Sequence, residues 1–547
     1  MKQIRVLDCT LRDGGRIIDC KFKDNDTMDI ITRLAKAKID VIEVGFLRDP
    51  QKVQYKGDST FFTRISQVNK LIDKSGVDYD ASYVVFIDYS MFDFSTLESY
   101  QGKGINGIRV GFTKNDYIKD SDNLIKALNL VKSLGYELYV QGVNSLAYSD
   151  KEFLNVISMV NDTHPDVFAI VDTYGAMYLD DLDHIFSLTN KNLNPEISIA
   201  FHSHNNYQLS FALAQEFIRL GKESSRNIVI DSTLDGMGKC SGNLNTELIV
   251  DFLIRKLNYK YDFEAILDII DDYMYNIKKQ YSWGYSIPSM MAAVYQAHPN
   301  NVIYLTEKYR LATKDIKRIL SMIPDDIRKS YDYDLISELY VKYNHTNVDD
   351  SKVLSDLKSK FDGKRILIMV PGRSLLDYSN EIVSTANNDD VIVVPVNFVN
   401  AHLSKDKQIP FFGSEKRYQK FSEIRRELPR IVTSNIFEHD SNDFVVNYEG
   451  LVERNNEDFD TSIIMLLNLL LRLETKDIII AGFDGFDENS VNYFDEALFE
   501  DGRFRNDYKR LTENTISMLK ELSRKFSNCC SVEFLTPSKY EQIFIKQ

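Results

Sequence analysis

One stretch of the sequence, ISIAFHSHNNYQLSFALAQEFIRL at residues 197–220, contains a complete strand-to-helix unit. Its first five residues, Ile197–Phe201, form a short apolar run, which is typical of a buried strand. Residues Tyr207–Leu220 then place apolar residues at helical spacing, which is typical of an amphipathic helix. A buried strand followed directly by a helix of this length predicts a β/α unit with parallel strand pairing.

The first 255 residues alternate between strand-like and helix-like segments in this way. The strand-like runs are Ile4–Leu7, Val41–Gly45, Ala81–Ile87, Ile105–Gly111, Leu138–Val143, Val167–Asp172, Ile197–Phe201 and Ile228–Ile230. The helix-like segments include Thr27–Ala37, Asp122–Leu134, Lys151–Asn161, Tyr207–Leu220 and Asn245–Lys256. Eight units in about 250 residues is the size of a TIM barrel, and a doubly wound sheet is the competing α/β fold. The sequence predicts a (β/α)8 barrel at residues 1–258.

The remaining sequence predicts two further regions. A helical extension is expected at residues 259–342, then a polar linker at 343–362, because this part shows no clear strand pattern. A separate Rossmann-like α/β domain is expected at 363–547. Its predicted strands are Ile366–Val370, Val391–Val396, Ile431–Thr433 and Ile478–Ala481, and its predicted helices are Thr461–Leu473 and Tyr508–Phe526. The segment Pro371–Leu375 suits an anion or is an ordinary tight turn, and Asp484 either contacts a ribose or a metal ion or caps a turn.

Composition excludes several classes of partner. The formal charge of −15 argues against nucleic acid and anionic membrane, since both need a basic face. The five cysteines form no CxxC pair and their number is odd, which fits a reducing cytoplasm. No run approaches the roughly 18 apolar residues that span a bilayer. A soluble cytoplasmic protein is expected.

The polar residues that follow the predicted strands indicate a metal site. His202 and His204 are two residues apart, so on an extended strand both side chains point the same way, into the mouth of the barrel. Asp13, in the loop after the first strand, supplies a carboxylate for a three-ligand divalent site. The alternative is a pair of partly buried, hydrogen-bonded histidines. Arg12 beside Asp13 suits the stabilisation of enolate charge, or forms a plain surface salt bridge.

Four segments in this order resemble the signatures of the DRE-TIM metallolyase superfamily: DCTLRDG at 8–14, DTYG at 172–175, HSH at 202–204 and GKCSGN at 238–243. That group includes HMG-CoA lyase, isopropylmalate and homocitrate synthases and 4-hydroxy-2-oxovalerate aldolase. The resemblance implies Mn²⁺ or Mg²⁺ held by Asp13, His202 and His204, with Asn243 as a further ligand or a hydrogen-bonding neighbour. It also implies that Arg12 stabilises the enolate and that Glu43 forms hydrogen bonds within the site.

The first motif is most similar to the 4-hydroxy-2-oxoacid aldolase branch, with one departure. That branch has a catalytic histidine three residues after the metal-binding aspartate, where this chain has Arg16. Arginine cannot act as a base but binds carboxylate or phosphate, so Arg16 is a candidate for substrate binding. Asp172 and Thr173 are further candidates for substrate binding. Cys240 is a catalytic candidate, because HMG-CoA lyases also have a cysteine in this loop.

Three residues beyond the barrel are candidates for the missing acid or base, with a packing role as the alternative: Tyr281, Tyr285 and His298. The predicted function is a divalent-metal-dependent aldolase or lyase that acts next to a 2-oxo acid such as pyruvate, through a metal-stabilised enolate. The expected partners are a 2-oxo acid with an aldehyde or acyl substrate, a nucleotide at the C-terminal domain and, by analogy, a second copy of the chain. The alternatives are a Claisen-type acyl-CoA condensing enzyme, and a barrel that serves as a scaffold for a nucleotide- or nucleotide-sugar-binding C-terminal domain.

Overall fold

The computed structural model describes residues 3–76, 81–307, 313–328, 331–344, 348–421, 423–452, 461–487, 491–495, 508–527 and 529–545. The chain divides into two compact units. The first comprises Met1–Ile303 with Thr313–Tyr331, and the second comprises Tyr304–Ala312 with Asp332–Gln547. Among the described residues, no helix is long and apolar enough to cross a membrane.

The first unit contains a closed parallel barrel. Its strands are β1 Ile4–Asp8, β2 Val41–Leu47, β3 Phe61–Phe62, β4 Ser82–Asp88, β5 Gly107–Phe112, β6 Glu137–Gly142, β7 Val167–Asp172, β8 Ser198–Ser203 and β9 Ile228–Ser232. They pair in the order β1-β9-β8-β7-β6-β5-β4-β2-β3, and β1 also pairs with β2, which closes a ring of eight. The short β3 lies beside β2, outside that ring. The predicted TIM barrel is confirmed, and each predicted strand is present within two residues of its expected start.

Amphipathic helices surround this ring. They are α1 Asp24–Lys36, α2 Ile65–Ser75, α3 Lys114–Ser133, α4 Asp150–Thr163, α5 Leu179–Asn192, α6 Ser210–Glu223 and α7 Thr246–Leu257. Helix α4 shows why the sequence forms them. Its buried residues include Phe153, Val156, Ile157 and Val160, spaced to form one apolar face. Ser149 and Glu152 form a reciprocal capping box that satisfies two free backbone N–H groups at its start.

More helices follow the barrel, as the sequence predicts. They are α8 Phe263–Ile269, α9 Tyr275–Lys278, α10 Ile287–Val294, α11 Pro299–Glu307, α12 Thr313–Met322, α13 Asp325–Arg328, α14 Tyr333–Asn344 and α15 Ser351–Phe361. Helices α8 and α9 are joined by a π-helical turn at Ile270–Met274. The residues of the predicted extension are divided between the two units, and those from Asp332 onward belong to the second unit.

The second unit has two parallel sheets. Its strands are β10 Arg365–Met369, β11 Val391–Pro395, β12 Phe411–Phe412, β13 Ile431–Thr433, β14 Phe444–Val446, β15 Asp477–Ala481 and β16 Ser531–Phe534. The larger sheet has the order β11-β10-β15-β16 and the smaller one β12-β13-β14. The described helices are α16 Ser374–Asp377, α17 Ser379–Ala386, α18 Glu415–Phe421, α19 Ser462–Arg472, α20 Tyr508–Phe526 and α21 Glu541–Phe544. The parallel pattern fits the predicted α/β type, and the Rossmann-like assignment stays a prediction.

Candidate metal centre

Three side chains converge at the carboxyl ends of the barrel strands. Asp13 lies in the loop after β1, His202 lies in β8, and His204 immediately follows that strand. The Asp13 Oδ2 atom lies 3.8 Å from Nε2 of His202 and 3.7 Å from Nε2 of His204. One ligand atom from each residue lies within 4.8 Å of the other two, which suits a single divalent ion.

The hydrogen bonding and charge of this cluster fit a metal ion. Asp13 Oδ2 and Asn243 Oδ1 are buried, with no hydrogen-bond partner within the described structure. Such lone pairs are costly to bury unless something binds them. Burial lowers the pKa of His204 to about 4, so its ring is neutral, as a metal ligand requires. Burial opposes ionisation of Asp13, but the charge of Arg12 holds its pKa well below the ordinary value.

A second carboxylate orients His202. Asp231, in β9, lies 3.0 Å from Nδ1 of His202 through its Oδ2 atom. This carboxylate accepts a hydrogen bond from Nδ1–H, so the Nε2 lone pair faces the cluster. Asp231 is 2% exposed. The arrangement resembles the outer carboxylate that, in metal sites of proteins, fixes the ring of a metal-binding histidine.

A buried chain of charges connects the two sides of the centre. Arg12 donates from Nη1 to Asp13 at 2.5 Å and from Nε to Glu43 at 2.6 Å. Arg109 pairs through Nη1 with the other Glu43 oxygen at 3.0 Å, and through Nη2 with Asp231. Each carboxylate contacts one or two guanidinium groups, which offsets part of the cost of burial. Nη2 of Arg12 is buried and has no described partner.

Arg109 and Asp231 were not identified from the sequence. The sequence does mark both positions, because Arg109 interrupts an apolar strand-like run and Asp231 directly follows one. The sequence could not pair them, since the two residues are 122 positions apart and meet only across the barrel.

The other predicted site residues have different surroundings. Arg16 Nε lies 3.3 Å from Asp13 Oδ1, so this arginine borders the cluster. Asp172 accepts from the backbone N–H groups of residues 176 and 177, and Thr173 accepts from the N–H of residue 144, so both hold the loop structure. Burial raises the pKa of Cys240 to about 11. Its thiol is therefore protonated at neutral pH and suits donation rather than nucleophilic attack.

The three acid/base candidates beyond the barrel also differ. Tyr281 and Tyr285 are exposed. His298 Nδ1 accepts from the backbone N–H of Asn300 at 3.2 Å. Because burial also lowers its pKa to about 4, the ring is neutral and carries its proton on Nε2. In this tautomer His298 is a hydrogen-bond donor and not a base.

In the second unit, the predicted anion-binding turn already holds a carboxylate of the chain itself. Asp484, after β15, accepts from the backbone N–H of Ser374 at 2.9 Å and from its hydroxyl. Gly372 lies against Gly482, because a Cβ on Gly372 would be 2.2 Å from the Gly482 carbonyl oxygen. The turn after β10 is thus joined to the loop after β15 by an internal anion.

Comparison with known proteins finds similarity in the barrel region. Residues 108–272 match the HMGL-like family model. The resemblance predicted from the four motifs is confirmed. A 4-hydroxy-2-oxovalerate aldolase from Geobacillus genomosp. 3 is 26% identical over 255 residues, covering 46% of this chain and 71% of the relative. A 2-isopropylmalate synthase from Geobacillus sp. (strain Y412MC10) is also 26% identical, over 280 residues, covering 47% of this chain and 49% of the relative.

Solved structures similar to this chain include the N-terminal domain of a putative aldolase from Bacteroides vulgatus. It is 22% identical with a TM-score of 0.47, covering 56% of this chain and 98% of that one. An HMG-CoA lyase from Brucella melitensis is 13% identical with a TM-score of 0.40, covering 51% of this chain and all of that one.

Proposed function

We propose that the barrel is a divalent-metal-dependent aldolase that cleaves or forms a carbon–carbon bond next to a 2-oxo acid. The observation that carries this proposal is the free Nη2 of Arg12, held beside a three-ligand cluster. Mn²⁺ or Mg²⁺ bound by Asp13, His202 and His204 would polarise the carbonyl of a 2-oxo acid. The relatives named 4-hydroxy-2-oxovalerate aldolase support this reaction class.

The side chains of the site have distinct roles in this reaction. In the cleavage direction the C3–C4 bond of a 4-hydroxy-2-oxo acid breaks, the 4-hydroxyl group gives its proton to water as C4 becomes an aldehyde, and the bonding electron pair forms an enolate whose negative charge lies on the 2-carbonyl oxygen. The Arg12 guanidinium can donate to that oxygen from Nη2 while Glu43 and Asp13 hold its other nitrogens in place. Because these three groups are buried, the donor needs little rearrangement and competes with little water. Asn243 presents its buried Oδ1 to the cluster as a further ligand or as an acceptor from bound water.

Exchange of the pyruvate methyl protons with deuterium measures enolate formation from pyruvate without the second substrate. We expect exchange that requires Mn²⁺ and falls about 100-fold or more in Arg12→Met, the usual effect of removing one such donor. The control is Arg219→Met, which removes an exposed arginine paired with Glu216 and Glu223 on α6. Mn²⁺ titration of each variant shows whether the cluster remains intact. Absence of exchange in wild-type protein that holds one Mn²⁺ would refute the proposal.

The relatives named 2-isopropylmalate synthase favour one second candidate, an acyl-CoA condensing enzyme. Both reactions need charge stabilisation at the carbonyl next to the reacting carbon, so Arg12 serves either. They differ in the second substrate. Release of free coenzyme A from acetyl-CoA in the presence of a 2-oxo acid would favour condensation. Formation of an aldehyde from a 4-hydroxy-2-oxo acid would favour the aldolase.

A further inference from the structure

Three cationic side chains follow three adjacent strands on one side of the barrel mouth, next to the metal cluster, and we call them the cationic rim: Arg16, Arg48 and Lys239. Their segments are neighbours, because the loop after β1 packs against the loop after β9. A Cβ on Gly14 would lie 3.2 Å from the carbonyl oxygen of Met237. Arg16 and Lys239 each lie two residues beyond this contact, and Arg48 directly follows β2, which pairs with β1.

The two arginines of the rim lie against one aromatic ring and share one carboxylate. The guanidinium carbons of Arg16 and Arg48 lie 4.5 and 4.4 Å from the centre of the Phe46 ring. Asp88 Oδ2 is 3.8 Å from Nη2 of Arg16 and 2.5 Å from Nη1 of Arg48. A single carboxylate therefore serves two guanidinium groups, and the closer contact is with Arg48.

Lys239 has a neutral partner. Its Nζ donates to Asn300 Oδ1 at 3.0 Å, and no carboxylate oxygen of the described residues lies within 4.0 Å of it. The side chain is partly buried, and burial together with the charge of Arg16 lowers its pKa. His298 lies near Lys239, because its Nδ1 atom accepts from the backbone N–H of Asn300, the residue to which Lys239 donates.

The rim carries a surplus of positive charge. Against the three cations stand Asp88 and Asp13, and Asp13 also pairs with Arg12 and would bind the metal ion. One positive charge, that of Lys239, remains without a carboxylate partner among the described residues, beside a centre that would itself hold a divalent cation. Partly buried cations in this arrangement repel one another unless an anion enters. Arginine and lysine together suit the oxygens of a phosphate or carboxylate.

We propose that the second substrate of this site carries a terminal anionic group, phosphate or carboxylate, which binds Arg16 and Lys239 while its reacting carbon lies at the metal cluster. The inference rests on the proposed aldolase function for its turnover test, but anion binding is measurable without turnover. The rim then selects an aldehyde with an anionic tail over a neutral one.

Binding to metal-free protein tests the rim directly. The probes are glycerol 3-phosphate, succinate and, as the neutral match, glycerol, each titrated calorimetrically in the presence of EDTA. We expect glycerol 3-phosphate or succinate to bind and glycerol not to bind, and the two anions distinguish phosphate from carboxylate. Lys239→Gln and Arg16→Gln should each weaken anion binding about 10-fold, the effect of losing one charge-assisted hydrogen bond.

The matched control is Lys278→Gln. Lys278 lies near the same loop but already pairs with Asp235 at 2.8 Å, so its loss should leave anion binding unchanged. Fluorescence of Trp283 reports whether each variant is folded, because Trp283 is the one tryptophan of the sequence and is buried in the barrel unit. The inference is overturned if neither anion binds, or if Lys239→Gln binds them as tightly as the folded wild type.

Turnover supplies the second measurement. With Mn²⁺ and pyruvate, glyceraldehyde 3-phosphate is compared with glyceraldehyde, and succinic semialdehyde with butanal. We expect kcat/KM to favour one anionic aldehyde by about 10-fold or more, with that ratio collapsing in Lys239→Gln. Loss of pyruvate proton exchange would refute the aldolase function alone. Equal use of charged and neutral aldehydes, with exchange intact, would refute the rim alone.

Discussion

Replacing Asp231 by asparagine tests whether the carboxylate behind His202 sets the affinity of the metal centre. Asp231 accepts from His202 Nδ1 at 3.0 Å and also pairs with Arg109. Asparagine has nearly the same size, so the change removes the charge and leaves the packing largely intact. The imidazole then has at most a neutral amide oxygen as the acceptor for Nδ1–H, so it loses the negative charge that makes Nε2 a stronger ligand.

The size of the effect follows from this geometry. Loss of such an outer carboxylate typically weakens metal binding about 10- to 100-fold. That change corresponds to about 1.4 to 2.7 kcal/mol. The same substitution leaves Arg109 with Glu43 as its remaining described carboxylate partner. Because the pair is buried, we also expect a loss of barrel stability of about 3 kcal/mol.

Titration with Mn²⁺, followed by the electron paramagnetic resonance signal of the free ion, gives the affinity. Denaturant unfolding followed by Trp283 fluorescence gives the stability of the barrel. Asp8→Asn is the matched control, since Asp8 is 1% exposed and accepts from Thr246 and from the N–H of Thr10, but contacts no histidine. An Mn²⁺ affinity of Asp231→Asn within threefold of both wild type and Asp8→Asn would refute the role of this carboxylate.

Three further changes have defined outcomes. Burial raises the pKa of Asp8 to about 6, so the fold favours its protonated form. This stabilisation is complete below about pH 4 and is lost as the pH rises through 6. Between pH 4 and 7 the free energy of unfolding should fall by about 3 kcal/mol in the wild type, and Asp8→Asn should lack this fall. Gly175→Ala would place a Cβ 2.8 Å from the His204 carbonyl oxygen, at a residue whose φ is +55°. Both the Mn²⁺ affinity and the melting temperature should therefore fall, with a loss of at least about 1 kcal/mol in the free energy of unfolding. An unchanged Mn²⁺ titration would contradict this. Asp484→Ala removes two hydrogen bonds to Ser374. We expect the free energy of opening, measured by hydrogen exchange in β10 and β15, to fall by about 1–3 kcal/mol while barrel unfolding is unchanged. Unaltered exchange in these strands would show that this carboxylate does not hold the turn.

The sequence predicted those parts of the molecule that depend on local pattern. The barrel strands are continuous apolar runs, because parallel strands are buried on both faces, and β2 is buried at all seven positions. His202 and His204 were paired because two residues on a strand share a face. Short elements such as β12 and β14 carry too few residues to show a pattern. Contacts between Ser374 and Asp484, 110 residues apart, depend on strand order, which spacing along the chain does not reveal.

The closure of the ring through β1 and β9 has a consequence for how this protein folds during its synthesis. Asp13 is made near the start of translation, whereas Asp231 and Asn243 are made more than 200 residues later. Until β9 pairs with β1, Asp13 lies at one end of an open sheet and the histidines lie at the other. Contacts of such large sequence separation form late, because a long loop must close first. Capture of an ion by Asp13, His202 and His204 would therefore require the completed barrel. A chain cut short before residue 228 would lack the last strand that brings these three residues together.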